Sequence, residues 1–207
     1  MEAKNRIGIL GGTFDPVHNG HLALAEAAYK SAALESIWFL PNYIPPHKST
    51  DFSNEKAKER LDMLKLAIDG RNWCRVCAIE LERKGRSYTY MTIEELNRRY
   101  PETDFAFIIG ADSLFELDHW REPRRILSGC ALLVAKRPDA RIDGFEEQIQ
   151  YLSDNYGARI EVIPMELNPI SSVEIRSRIA QGLNIEDEVP RAVSAYIRDK
   201  RLYQYGE

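Results

Sequence analysis

Cysteine is scarce in this sequence: 207 residues contain three, an odd number, which argues against a disulfide framework. No stretch of roughly 18 apolar residues occurs, so no membrane-spanning helix is expected. The N-terminus also lacks an apolar signal region, and the expected location is cytoplasmic. Charge of one sign is not in excess either. The formal net charge is −4, with acidic and basic side chains interspersed, which argues against a general nucleic-acid or membrane surface. Any phosphate site must therefore be locally basic. Low-complexity runs, internal repeats and linkers are absent, and 44% hydrophobic with 29% charged residues is an ordinary globular composition. The length suits one well-buried domain and is short for two, so a single domain over residues 1–207 is expected.

What is present is an alternation. Short apolar runs at 6–10, 37–40, 73–79, 104–109, 130–135 and 159–163 are mostly separated by segments with helical periodicity. This pattern predicts an α/β fold with a mainly parallel sheet of about six strands. Val189-Pro190 opens a C-terminal helical element carrying Val193 and Ile197.

Residues 11–22, GGTFDPVHNGHL, join the first strand to the first helix. In an open parallel sheet such turns lie at the carboxyl ends of the strands, where ligands settle and helix N–H groups face them. Gly11 and Gly12 are expected to let the chain turn sharply and approach a phosphate, and His18 and His21 should both reach the space that the helix start faces. Taken alone, the His spacing is more often metal ligation or two unrelated surface histidines than a phosphate site. The stretch lacks both the Gly spacing of a dehydrogenase fingerprint and the Gly-Lys-Ser/Thr ending of a P-loop.

Further candidates follow along the chain. The proline-rich 41–48 stretch brings His47 and Lys48 to a loop leaving the second strand, as a ligand contact or as a plain surface loop. Ser87, Tyr88 and Thr89 precede a helix that Pro101 ends, where a Ser or Thr is read first as N-cap and second as part of an anion nest. Gly110 and Asp112 follow the fourth strand, with Asp112 read as a ribose ligand or a helix cap. Trp120 lies among polar residues, as a stacking ring or as core. Arg137 follows the fifth strand. Ser171 with Glu174 is a capping box, and Ser172 and Arg176, four apart, share a face near that helix start. Cys74 and Cys77 have C-x-x-C spacing, but in a strand they face opposite sides, and no second ligand pair follows at zinc-like spacing.

Together GGTFDPVHNGH, PPHK, SYT, IGADS, the following Trp and ISSVEIR resemble the bacterial nicotinate-nucleotide adenylyltransferases, within the nucleotidyltransferase superfamily that carries an H-x-G-H motif. Val17 and Val173 are mild departures from that pattern. The resemblance implies a single Rossmann-like, doubly wound domain. It also implies transfer of AMP from ATP to nicotinate mononucleotide, giving nicotinate adenine dinucleotide and pyrophosphate, with Mg²⁺ carried on ATP and no protein metal site. Under that resemblance His18, His21 and Arg176 are catalytic. ATP would lie on Gly11, Gly12, Thr13, Phe14, His18, His21, Gly110, Ser171, Ser172 and Arg176. Nicotinate mononucleotide would lie on His47, Lys48, Tyr88, Thr89, Asp112, Trp120 and Arg137. Nicotinamide mononucleotide or phosphopantetheine as acceptor, a nucleotide sensor without turnover, and a redox or zinc protein built on Cys74 and Cys77 are the alternatives. The expected partners are small molecules, with no nucleic acid and no membrane; a homo-oligomer stays open, because assembly state is not legible here.

Overall fold

The computed structural model describes residues 5–44, 53–136, 142–165 and 170–204. Its centre is β1 (Asn5–Gly12), whose run from Ile7 through Leu10 is buried and pairs in parallel with β2 (Ser36–Pro41) on one side and β4 (Thr103–Gly110) on the other. Outward lie β3 (Cys74–Val76) beside β2, then β5 (Ala131–Lys136) beside β4, and β6 (Ile160–Pro164) at the far edge. The order β3-β2-β1-β4-β5-β6, parallel throughout, makes this a Rossmann-like doubly wound sheet. The strand order reverses between β1 and β4, and a crevice opens there at the strands' carboxyl ends.

Helices cover both faces because neighbouring strand residues point to opposite sides. Leu10, Phe39 and Leu133 pack with α1 (Asn19–Ser31), α2 (Asn54–Ile68), α8 (Ser172–Ala180) and α9 (Arg191–Lys200) through Ala25, Leu64, Ile175 and Val193. Ile9, Trp38 and Leu132 pack on the other side. Their partners come from α4 (Thr89–Arg99), α5 (Ala111–Glu116), α6 (Pro123–Gly129) and α7 (Phe145–Tyr156), through Leu96, Leu114, Ile126 and Leu152.

The third strand is shorter than the run 73–79 predicts. It is an edge strand bound by β2 alone, and after Cys77 donates to the Phe39 carbonyl at 2.8 Å the chain turns into a short helix, α3 (Ile79–Arg83). That turn buries Ile79 and Glu80, which a continued edge strand would leave alternating with solvent. Among the described residues no helix is long and apolar enough to cross a membrane.

Candidate active site

The turn after β1 is made differently from the sequence expectation. Gly11 and Gly12 keep extended backbone as the last residues of β1, and the left-handed residue is Phe14, at φ 51°. The glycines are needed for room. A Cβ on Gly12 would stand 3.0 Å from the Phe14 ring and one on Gly11 3.2 Å from the Phe107 ring, tighter than ordinary packing allows. Phe14 is buried, its ring edge-on to His21 with centroids 4.9 Å apart and tilted against Phe39 at 5.8 Å. Burial of that ring sustains a backbone conformation that a bulky residue rarely adopts.

Side chains from distant parts of the chain hold the loop that follows. The fully buried Arg60 of α2 donates to the carbonyls of Thr13 at 2.7 Å and Asn42 at 2.9 Å, tying the ends of β1 and β2 together. Ser172 donates to the Pro16 carbonyl at 2.9 Å and Arg176 to that of Asp15 at 2.7 Å. The Tyr203 hydroxyl donates to the Asp15 carboxylate at 2.6 Å, and burial, with Asp15 adjacent, pushes its pKa up so that the proton stays. Asn19 is held from the 187–188 turn, through its backbone N–H to Glu188 and its side chain to Asp187.

His18 is the N-cap of α1 and His21 lies in its first turn, as the sequence predicts. The rings stack at 3.6 Å, 26° from parallel. Burial pushes the His18 pKa down to about 4; burial, then the neighbouring His18, pushes that of His21 down to about 3. Both imidazoles are therefore neutral at physiological pH. His21 Nδ1 accepts the backbone N–H of His18 at 3.2 Å, which fixes the tautomer: the proton sits on Nε2 as a donor. His21 lines the crevice at the switch point.

That crevice is a cavity of about 570 Å³, within the range of small-molecule sites. At one end it is lined by Gly11, Gly12, His21 and Gly110, and at the other by Ser87, Tyr88, Thr89 and Trp120. Neither Ser87 nor Thr89 caps α4. Tyr88 is the N-cap residue and contributes no capping bond, while Ser87 accepts the N–H of Tyr43 at 2.9 Å and hydrogen-bonds Glu80. The first N–H groups of α4 thus stay available beside the cavity. Trp120 is half-buried, edge-on to Phe107 at 6.3 Å, with room left beside its ring in the cavity.

The remaining residues singled out from the sequence lie outside that lining or outside the described residues. Asp112 is exposed in the first turn of α5, outside the cavity lining, and does not cap that helix, whose N-cap is Gly110. It is therefore not the buried carboxylate that a strand end would have made it. Ser171 caps α8 by accepting the Glu174 N–H at 3.1 Å. Thr13, Phe14, His18, Ser172 and Arg176 are not among the residues lining the cavity, and Ser172 and Arg176 instead hydrogen-bond the loop that follows β1. His47, Lys48 and Arg137 lie outside the described residues. The C-x-x-C pair forms no disulfide, and burial raises both thiol pKa values, that of Cys74 to about 12, so neither is a ready thiolate.

The cytidylyltransferase-like family is matched over residues 9–178. A probable nicotinate-nucleotide adenylyltransferase of Exiguobacterium sibiricum is 40% identical over 96% of this chain and 98% of its own. The chain belongs to the nicotinate-nucleotide adenylyltransferase family. The fold agrees. A Plasmodium falciparum nicotinic acid mononucleotide adenylyltransferase complexed with APC superposes with a TM-score of 0.78 at 20% identity, covering 99% of both chains. The same parasite protein complexed with NaAD gives 0.78 at 21% identity over 98% of each.

For a nicotinate-nucleotide adenylyltransferase, the residues missed from sequence are instructive. Arg60 carried no motif signal and reads as one more charge in an amphipathic helix. Glu80, just past the 73–79 run, drew no reading of its own, and its burial follows from the turn into α3 that ends the edge strand. Tyr203 and Asp15 are 188 residues apart, and nothing local announces their pairing.

Proposed function

We propose that the chain transfers AMP from ATP to nicotinate mononucleotide, giving nicotinate adenine dinucleotide and pyrophosphate, within a single nucleotidyltransferase domain spanning residues 1–207. The observation that carries this reading is the one cavity that runs from the neutral His21, at the start of α1, to the open N-terminus of α4 beside Trp120. Such a space can receive two nucleotides end to end.

The protein needs no nucleophile of its own, since the mononucleotide phosphate is one. The task is to bring two repelling anions into line and stabilise charge on the equatorial and leaving oxygens. The Nε2–H of His21 is a fixed donor on a ring desolvated by burial, and so suits charge that develops in the transition state. His18 stacks behind it and holds its orientation through the backbone N–H bond. In this reading Gly11, Gly12, Thr13, Phe14, Gly110, Ser171, Ser172 and Arg176 frame ATP. Arg176 spends one of its five N–H donors on Asp15, leaving others for the triphosphate. Tyr88, Thr89 and Trp120 receive the nicotinate ring and carboxylate, Asp112, exposed in the first turn of α5, meets a ribose that extends past the cavity lining, and His47, Lys48 and Arg137 bind along the mononucleotide.

Among the described residues no group of three or more His, Cys, Asp or Glu is arranged to hold a metal ion. The donor set fits a Mg²⁺ that arrives on the triphosphate, where it would offset phosphate charge. The test is pyrophosphate release with Mg-ATP, offered nicotinate mononucleotide, nicotinamide mononucleotide and phosphopantetheine in parallel. A preference of tenfold or more for the nicotinate form, roughly 1.4 kcal/mol, is the expected result. Release with another acceptor overturns the substrate.

A further inference from the structure

We infer that Arg121 selects a pyridine mononucleotide bearing a carboxylate over its neutral amide, from a position at the cavity rim over the Tyr88 ring. This rests on the adenylyl-transfer reading for the identity of the mononucleotides. Among the described residues, the acidic and basic side chains that line the cavity are Glu80 and Arg121, with His21 and His119 as the imidazoles. Glu80 is buried and already answered: it accepts from Thr92 Oγ1 at 2.5 Å and from Ser87, with Arg83 Nη2 at 3.9 Å. His119 is answered by Asp118, 3.1 Å away, and His21 is neutral. Arg121 is different. Among the described residues its partner is the face of Tyr88, 4.8 Å from ring centre to guanidinium carbon, and it forms no ion pair or hydrogen bond.

Stacking on an aromatic face leaves the in-plane N–H edges of a guanidinium free to donate. The same Tyr88 is the N-cap residue of α4, so the guanidinium and the positive end of that helix adjoin one stretch of cavity wall. Trp120, the preceding residue, edges on Phe107 and lines the same wall. A nicotinate carboxylate gains from both positive fields. A nicotinamide gains only dipolar contacts, and its amide N–H groups would meet Glu80 already taken by Thr92 and Ser87. A unit charge near 6 Å at an effective dielectric between surface and water amounts to roughly a tenfold preference. Because Arg121 is exposed, added salt should weaken that preference.

The experiment compares the full chain with Arg121→Gln and Arg121→Lys. Affinities for nicotinate and nicotinamide mononucleotide are measured by calorimetry, alongside kcat and KM from pyrophosphate release. Arg121→Gln is expected to lower the nicotinate-to-nicotinamide ratio about tenfold in affinity and in kcat/KM, with KM for ATP unchanged. Arg121→Lys should keep most of the ratio, and about 0.5 M KCl should lower the ratio of the starting protein but not of Arg121→Gln. An unchanged ratio in Arg121→Gln overturns the inference. The binding ratio does not need turnover: its fall in a protein that releases no pyrophosphate would support the role of Arg121 while striking down adenylyl transfer.

Discussion

Acid should unfold this protein partly through its two stacked imidazoles. In the folded chain the His18 and His21 pKa values stand at about 4 and about 3, against an ordinary 6.5. Both are depressed, so between those values and 6.5 the unfolded chain binds the extra protons. Stability is thus fully present above pH 6.5 and is lost as pH falls toward the folded values. Going from about pH 7 to about pH 5, the linkage relation gives a loss of roughly 2 kcal/mol for each imidazole, about 4 kcal/mol together. The size hardly depends on the folded pKa values provided both lie well below 5, because the unfolded value sets it. The assay is urea unfolding at both pH values for the starting protein, His18→Gln, His21→Gln and the double variant. The pH-induced change is taken within one variant, which cancels differences in basal stability, and is then compared between variants, which cancels the shared background titration of carboxylates. Each substitution should flatten the pH dependence by roughly half of the histidine contribution. A double variant that loses as much stability on acidification as the starting protein would refute the neutral, buried pair.

Three further outcomes are expected. His21→Ala should lower kcat by roughly 10²–10³ while changing KM for ATP little, since a fixed donor matters most to charge in the transition state; steady-state kinetics showing equal losses in both would count against it. Trp120→Ala should raise KM for the mononucleotide and leave that for ATP nearly unchanged, and a matching rise for ATP would make the ring scaffold instead. Arg60→Leu strips the donors from the Thr13 and Asn42 carbonyls and should cost roughly 2–4 kcal/mol in chemical denaturation, as expected for buried acceptors left unpaired. A loss below about 1 kcal/mol would mean that water replaces the guanidinium.

Local signals in the sequence specified the elements well. Apolar runs located all six strands, because a strand buried between two helical layers is apolar on both faces. The Ser171 N-cap, half of the predicted capping box, and the step from His18 into α1 were also readable, since a cap involves residues three apart. The edge strand was the failure: β3 has one partner and little burial, so periodicity over-extended it. At the site, Tyr88, Thr89 and Trp120 were legible as a group through their resemblance to a family and not through spacing. The sharp turn expected at Gly11 and Gly12 falls at Phe14 instead, and the need for room beside the Phe107 and Phe14 rings cannot be seen without knowing where those rings pack. Arg60 and Tyr203 were invisible for the same reason. A side chain that serves a backbone carbonyl far away in sequence leaves no pattern near itself.

The loop after β1 is fixed by hydrogen bonds reaching 156, 161, 168 and 188 residues along the chain. A nascent chain on the ribosome can pair β1 with β2 and β4 long before Ser172, Arg176 and Tyr203 have emerged. The turn after β1 is then present but untethered, so a partly made chain has most of its sheet before the bonds that fix this loop can form. A chain that ends before α8 therefore lacks the contacts from Ser172, Arg176 and Tyr203 that fix this loop in the folded protein.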